Sequence, residues 1–185
     1  MTVTAGDWLV AVDPQRVFAD PASEWRAPRF ADVVAPIRAL AAAHGERVVC
    51  TRFVAPAEPA GAWVDYYRRF PWALLPPDDP VWDVVDELAD VAAAGRVLSA
   101  TTFGKWGPEL AAIVGPGARL TLAGVSTDCC VLSTALAAAD AGVAVRVVPE
   151  ACAGADDASH ERALATMALY APLIRVVPLA ELLAG

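Results

Sequence analysis

The sequence predicts an α/β domain: a three-layer sandwich with a mostly parallel six-stranded sheet and helices on both faces. Three observations predict it. Six short apolar runs are spaced along the chain, segments with apolar residues at helical intervals separate them, and several of those segments end on a glycine. Runs that are apolar throughout, rather than alternating, belong to parallel strands covered on both sides.

The first run, Asp7 to Val12, reads as a buried strand stopped by Asp13-Pro14. Ala31 to His44 carries Val33, Val34, Ile37, Leu40 and Ala41 at helical spacing, with Gly45 as its cap. Arg47 to Arg52 is the second strand. Val54 to Pro80, rich in proline and aromatics, predicts irregular loops with a short helix near Trp63 to Arg69. A helix is expected over Val81 to Ala94, then a third strand, Arg96 to Ala100. Pro108 to Val114 predicts a short helix with proline in its first turn. Ala118 to Val125 is the fourth strand, Thr127 to Ala141 a helix and Val143 to Val148 the fifth strand. Asp156 to Tyr170 reads as a helix with a capping start, Ile174 to Val177 as the last strand, and a short helix follows. No repeat or linker divides the chain, so one domain over 1–185 is expected.

Composition excludes several classes of function. The net charge is −8 with no basic cluster, which argues against a nucleic-acid partner. Hydrophobic residues reach 57%, yet no run attains the roughly 20 apolar residues of a membrane span. No signal peptide is visible at the N-terminus, so a cytoplasmic location and reduced thiols are expected. The four cysteines lack CxxC spacing and only two histidines are present, so no zinc site is expected. Of the 14 basic residues, Lys105 is the only lysine.

In parallel sheets, ligands bind beyond the carboxyl ends of the strands, where the strand order reverses. That directs attention to residues 13–18, 53–56, 100–106, 126–130 and 150–154. The segment Gly124-Val125-Ser126-Thr127-Asp128-Cys129-Cys130-Val131 runs from strand through a tight turn into a helix. Cys130 falls in the first helical turn, where free amides and the helix dipole favour a thiolate and can hold an oxyanion. Cys129, about 100° around the helix, reads as structural; Cys50 and Cys152 read as core thiols. Asp13, directly after the first strand, is placed to serve as the base that a thiol nucleophile needs. Neither histidine competes: His44 closes a helix, and His160 is expected to face solvent. Aromatics cluster in the loops after the first three strands (Phe18, Trp25, Trp63, Tyr66, Tyr67, Trp72, Trp106). They close either the core or a largely apolar pocket for a planar or hydrophobic substrate; Gln15, Phe18, Trp25, Trp63 and Trp106 are the candidate lining.

With LVAVDPQRVF, LAGVSTDCCVLSTALAAADAGVAVRVVPEACAG and ASHERAL, the chain resembles the isochorismatase-like cysteine hydrolases from its first strand to its last helix. TRFVAP, GAW and TTFGKWGPEL resemble one branch of them. The resemblance implies a six-stranded parallel sheet and a site made of an aspartate, a lysine and a cysteine, matched here by Asp13 and Cys130. It also implies a cis peptide between Val125 and Ser126, oxyanion amides from Ser126 and Cys130, a homo-oligomer, and no organic cofactor. The family's lysine would fall at Ala100 or at Ser99, neither of which can carry a charge. Two outcomes are open for Lys105, five residues on: it substitutes as the catalytic lysine with its ammonium within roughly 4 Å of Asp13, or, the favoured outcome, it points elsewhere. The metal ligands of the nicotinamidase branch are absent from Thr51 to Pro56.

Two readings of function follow. The chain is a cysteine amidohydrolase for a small C–N substrate, working through a thioester, or it is a catalytically impaired relative that binds a small molecule or a partner protein. A redox role for the adjacent Cys129 and Cys130 is the third reading, disfavoured because neighbours on a helix are poorly placed for a disulfide.

Overall fold

The structure is a computed structural model that describes residues 3–184. Among those residues, six strands form one parallel sheet: β1 (Asp7–Val12), β2 (Val48–Phe53), β3 (Arg96–Ala100), β4 (Arg119–Val125), β5 (Ala144–Ala153) and β6 (Ile174–Val176). Their order is β3-β2-β1-β4-β5-β6, every pair parallel. The order reverses between β1 and β4, so the loops after these two strands open beside each other.

The helices are α1 (Arg16–Ala19), α2 (Phe30–His44), α3 (Trp63–Arg69), α4 (Ala89–Ala94), α5 (Pro108–Val114), α6 (Leu132–Asp140), α7 (Asp157–Ala168) and α8 (Leu179–Leu183). They cover both faces. Along β1, Leu9 and Ala11 face one core, which holds Ile37 and Leu40 of α2 and Leu182 of α8. Val10 and Val12 face the other, which holds Leu110 of α5, Ala135 and Ala138 of α6, and Met167 of α7. This two-residue alternation makes a strand apolar throughout when both sides of the sheet are packed.

Three elements differ from the sequence expectation. The helix over Val81 to Ala94 is broken into 3₁₀ turns at Pro80–Trp82 and Asp86–Leu88, followed by the short α4. Its middle is drawn into extended pairing with the loop after β1: Val84 bridges Gln15, and Val85 N donates to Pro14 O at 3.0 Å. The fifth strand does not stop at Val148 but runs to Ala153, with its register against β4 shifting between Leu122 and Gly124. The third strand is an edge strand, and Val97 is 49% exposed rather than covered.

At the amino ends of the central strands, Asp7 is fully buried. Its carboxylate pairs with Arg146 at 2.6 Å, with Arg119 at 2.6 Å and with the Thr4 amide at 2.7 Å. Burial alone would raise this carboxyl, but the Arg146, Thr4 and Arg119 contacts outweigh it and hold it below the usual carboxylate range. A depressed folded pKa stabilises the fold above the unfolded value of about 4, and that stability is lost as pH falls through the folded value. Asp7→Asn leaves the buried Arg146 without its anion and should cost about 3 kcal/mol at pH 7. In urea melts, the gap between wild type and variant should close as pH falls below about 5 and on through the depressed folded value; a gap independent of pH would contradict this assignment.

Candidate active site

Asp13 follows β1 in the left-handed region, at φ 48°. Aspartate tolerates this conformation because its short side chain can bond nearby. Its amide donates to Thr51 Oγ1 at 3.0 Å, and Thr51 Oγ1 donates in turn to Asp13 Oδ1 at 2.7 Å. The carboxylate is therefore fixed against β2, with no exposed surface.

Across the strand-order reversal, β4 ends at Gly124-Val125. Gly124 has φ +109°, and a Cβ there would lie 2.0 Å from Val12 O. Only glycine permits that approach of β4 to β1. The Val125–Ser126 peptide is cis. Thr127–Val131 then forms a π-helical turn that leads into α6. Ser126 O accepts from the Cys129 and Val131 amides, each at 3.1 Å. Cys130 is 3% exposed, while Cys129 is half-buried.

Lys105 is where the structure departs most from expectation. Its Nζ lies 3.0 Å from Asp13 Oδ2, with both side chains wholly buried. Ala100 has no charge to offer and simply closes β3, its carbonyl accepting from Val54 N at 3.0 Å. The intervening turn doubles back instead of leading away. Gly104 packs on Ser133, Lys105 N donates to Thr134 Oγ1 at 2.9 Å, and Nζ donates to Thr102 O at 2.8 Å. The ammonium also lies 5.2 Å from the centre of the Phe53 ring. The favoured expectation that Lys105 points elsewhere is thus corrected: its ammonium pairs with Asp13, reaching it from the turn rather than from the strand.

The two thiols titrate as a pair. The hydrogen bond that Cys130 donates to Cys129, then burial, then the charge of Asp13 push Cys130 well above the ordinary thiol range, against the pull of Lys105. Cys129 is lowered, mainly by the hydrogen bond from Cys130. Cys50 and Cys152, each pushed up to about 12 by burial, are unreactive core thiols.

A cavity of about 300 Å³ opens onto Ser126, Cys129 and Cys130. Six aromatic side chains line it: Phe18, Trp25, Phe53, Tyr66, Phe70 and Phe103. Glu24, Arg26 and Asp128 add charge. Asp128 also accepts the Ala155 amide at 2.9 Å, tying the turn to the loop before α7.

Of the expected lining, Phe18 and Trp25 are present. Gln15 is buried and bonded out, to Phe53 N at 2.8 Å, Phe53 O at 2.9 Å and Trp82 O at 2.7 Å, so it joins loops instead of meeting a ligand. Trp63 packs on Phe53, Tyr66, Tyr67 and Phe103 behind the lining, and Trp106 packs on the opposite core. Cys129, read as structural, lines the same cavity as Cys130. His160 does not simply face solvent: its Nδ1 lies 2.8 Å from Thr127 Oγ1. His44 is a core histidine bonded to Leu40 O at 2.7 Å and Thr121 Oγ1 at 3.2 Å. At the end of β2, Phe53 to Pro56 brings no ligand side chain. Among the described residues, no group of three or more His, Cys, Asp or Glu could hold a metal ion. The residues here therefore do not fit a metal. A separate hollow of about 460 Å³, lined by Arg29, Asp32, Glu150, Asp156, Asp157 and His160 among others, includes neither Asp13 nor Cys130.

The family description that matches the chain is the isochorismatase domain, over residues 7–177. The chain belongs to the isochorismatase family. No curated protein matches it. Among solved structures, a cysteine hydrolase from Pseudomonas syringae pv. phaseolicola 1448A superposes with a TM-score of 0.81 at 21% identity, covering 97% of this chain and 91% of the other. An isochorismatase-like hydrolase from Alkaliphilus metalliredigens gives 0.75 at 16% identity, covering 97% and 98%. The zinc complex of a pyrazinamidase from Pyrococcus horikoshii gives 0.71 at 23% identity, covering 94% and 99%. At these identities the likeness is one of fold. Within this isochorismatase family member, sequence reasoning missed Thr51, whose hydroxyl bonds Asp13, and Thr134, whose hydroxyl accepts the Lys105 amide. A threonine in a strand or helix carries no signal of such a role, because its hydroxyl finds its partner only in the folded chain.

Proposed function

We propose that this chain is a cysteine hydrolase that cleaves a small amide-type C–N substrate through a thioester. The observation that carries the reading is the buried Lys105–Asp13 pair at 3.0 Å, set at the strand-order reversal beside thiols that open on a cavity. Cys130 attacks the carbonyl carbon as its thiol proton passes to Asp13. The amides of Ser126 and Cys130 hold the oxyanion. The C–N bond breaks as Asp13 returns that proton to the leaving nitrogen, and ammonia or an amine departs. Water, deprotonated by Asp13, cleaves the thioester and restores the thiol. Lys105 keeps a positive charge against Asp13 throughout. A resting thiol pushed upward suits a mechanism in which the base removes the proton during attack.

The six rings lining the cavity favour a planar or hydrophobic acyl group. The pyrazinamidase among the structural neighbours supports the amide class. The competing reading, a catalytically impaired binding protein, rested on Ala100, and the ammonium beside Asp13 removes that support. The test is ammonia release from benzamide, hexanamide and acetamide, with rapid-quench mass spectrometry after p-nitrophenyl benzoate. Turnover of benzamide or hexanamide above acetamide, and a benzoyl adduct on Cys130, are expected. No ammonia from any amide and no adduct would reject the hydrolase.

A further inference from the structure

A lysine at the end of a strand is placed by the sheet. Lys105 is not; it sits in the turn between β3 and α5, and its long stem has many rotamers to lose. Two hydrogen bonds in this turn are internal to it: Thr102 Oγ1 to Gly104 O at 2.9 Å, and Lys105 Nζ to Thr102 O at 2.8 Å. They shape the turn without fixing where it lies against the rest of the site. A third bond does that. Thr134, fully buried on α6, accepts the Lys105 amide at 2.9 Å and donates to Cys130 O at 2.7 Å. One hydroxyl thus joins the backbone of the residue that carries the cation to the backbone of the residue that carries the thiol.

We propose that Thr134 is a positioning residue that sets the Lys105 ammonium relative to Cys130 and Asp13. The inference rests on the reading of Lys105 as the site's cation and adds how that cation is placed. It acts through Lys105 and touches no substrate. Its need follows from the relocation of the lysine: a charge delivered by a turn requires a tether that a strand-borne charge does not. Electrostatic support for a thiolate falls with distance, so a turn that drifts by an ångström weakens it.

The test reads the pH dependence of Cys130 alkylation by iodoacetamide, followed at the Cys130 peptide by mass spectrometry. This readout needs no substrate and is independent of turnover. Lys105→Met should raise the midpoint by about one pH unit or more, as expected for loss of a nearby opposite charge. Thr134→Val, which keeps the side chain's shape, should raise it in the same direction, and Thr134→Ser should restore it. Lys105→Met/Thr134→Val should match Lys105→Met alone, because the proposed route runs through the Lys105 amide, whereas an effect of the direct Thr134–Cys130 O bond would persist without Lys105. A shift in Lys105→Met with none in Thr134→Val overturns the proposal while leaving the reading of Lys105 intact. So does an equal extra shift in the double variant, or a uniform slowing at every pH, which would mark a merely structural role. No shift in Lys105→Met rejects the reading of Lys105 itself, and the positioning role with it.

Discussion

Cys130→Ala should reduce amide turnover by about 10⁴-fold or more, the loss seen when a covalent nucleophile is removed, whereas Cys129→Ala should stay within about tenfold of wild type. The contrast is informative because the two thiols are hard to separate by position. Both line the cavity, and Cys129 is the more exposed and the more readily ionised. Ease of ionisation does not select the nucleophile here. The charge of Asp13 raises both thiols, so it does not separate them either. The backbone of Cys130 is the one joined through Thr134 to Lys105. A base must reach the proton it removes. Initial rates of ammonia release from the best amide for both variants decide the matter. Turnover lost in Cys129→Ala and kept in Cys130→Ala would reverse the assignment.

The second large effect is expected at Lys105. Lys105→Met removes the counter-charge of a carboxylate that has no exposed surface. Breaking a buried pair by deleting one partner costs about 3–5 kcal/mol. If half of that falls on the transition state, turnover drops by roughly 30-fold, and the rest appears as a lower melting temperature. Ala100→Lys should give no gain over wild type, because the place beside Asp13 is already filled. The double change Ala100→Lys/Lys105→Met asks whether a strand-borne lysine can take over, and partial recovery is expected. The comparison uses kcat/KM together with thermal melts. Full activity in Lys105→Met, or a gain in Ala100→Lys alone, would contradict the position found for the ammonium.

Much of this architecture was legible because burial on both faces writes itself into a strand as an unbroken apolar run. Val10 and Val12 are as buried as Leu9 and Ala11, so β1 needed no alternation to be found. The edge strand was legible for a weaker reason, and its composition did not reveal that Val97 would be half exposed. The helix expected over Val81 to Ala94 failed because local spacing competes with long-range pairing: Val84 and Val85 are engaged by Gln15 and Pro14, some 70 residues earlier in the chain. Asp13 and Cys130 could be picked out because each follows a strand on either side of the reversal. Lys105 was named but misplaced. Motif alignment counts residues along the chain, and what decides its position is a turn folding back onto Ser133 and Thr134, which no count along the chain reveals. Gln15 shows the opposite error. A polar residue beside the site looked available for a ligand, yet its amide is fully engaged by Phe53 and Trp82.

The contact at Gly124 bears on how such a site can diversify. Because a Cβ there would lie 2.0 Å from Val12 O, β1 and β4 meet main chain to main chain at their carboxyl ends, just before Asp13 and the turn that carries Cys130. The separation of the two strand ends is therefore inherited from peptide geometry, not from the sizes of neighbouring side chains. Five of the six rings of the lining come from elsewhere: Phe18 and Trp25 from the connection after β1, Tyr66 and Phe70 from around α3, and Phe103 from the turn after β3; Phe53, at the end of β2 and against Lys105, is the exception. Selectivity and reactivity then reside in separable parts of the chain. Drift or laboratory evolution can reshape the cavity ring by ring while the approach of the two strand ends stays fixed.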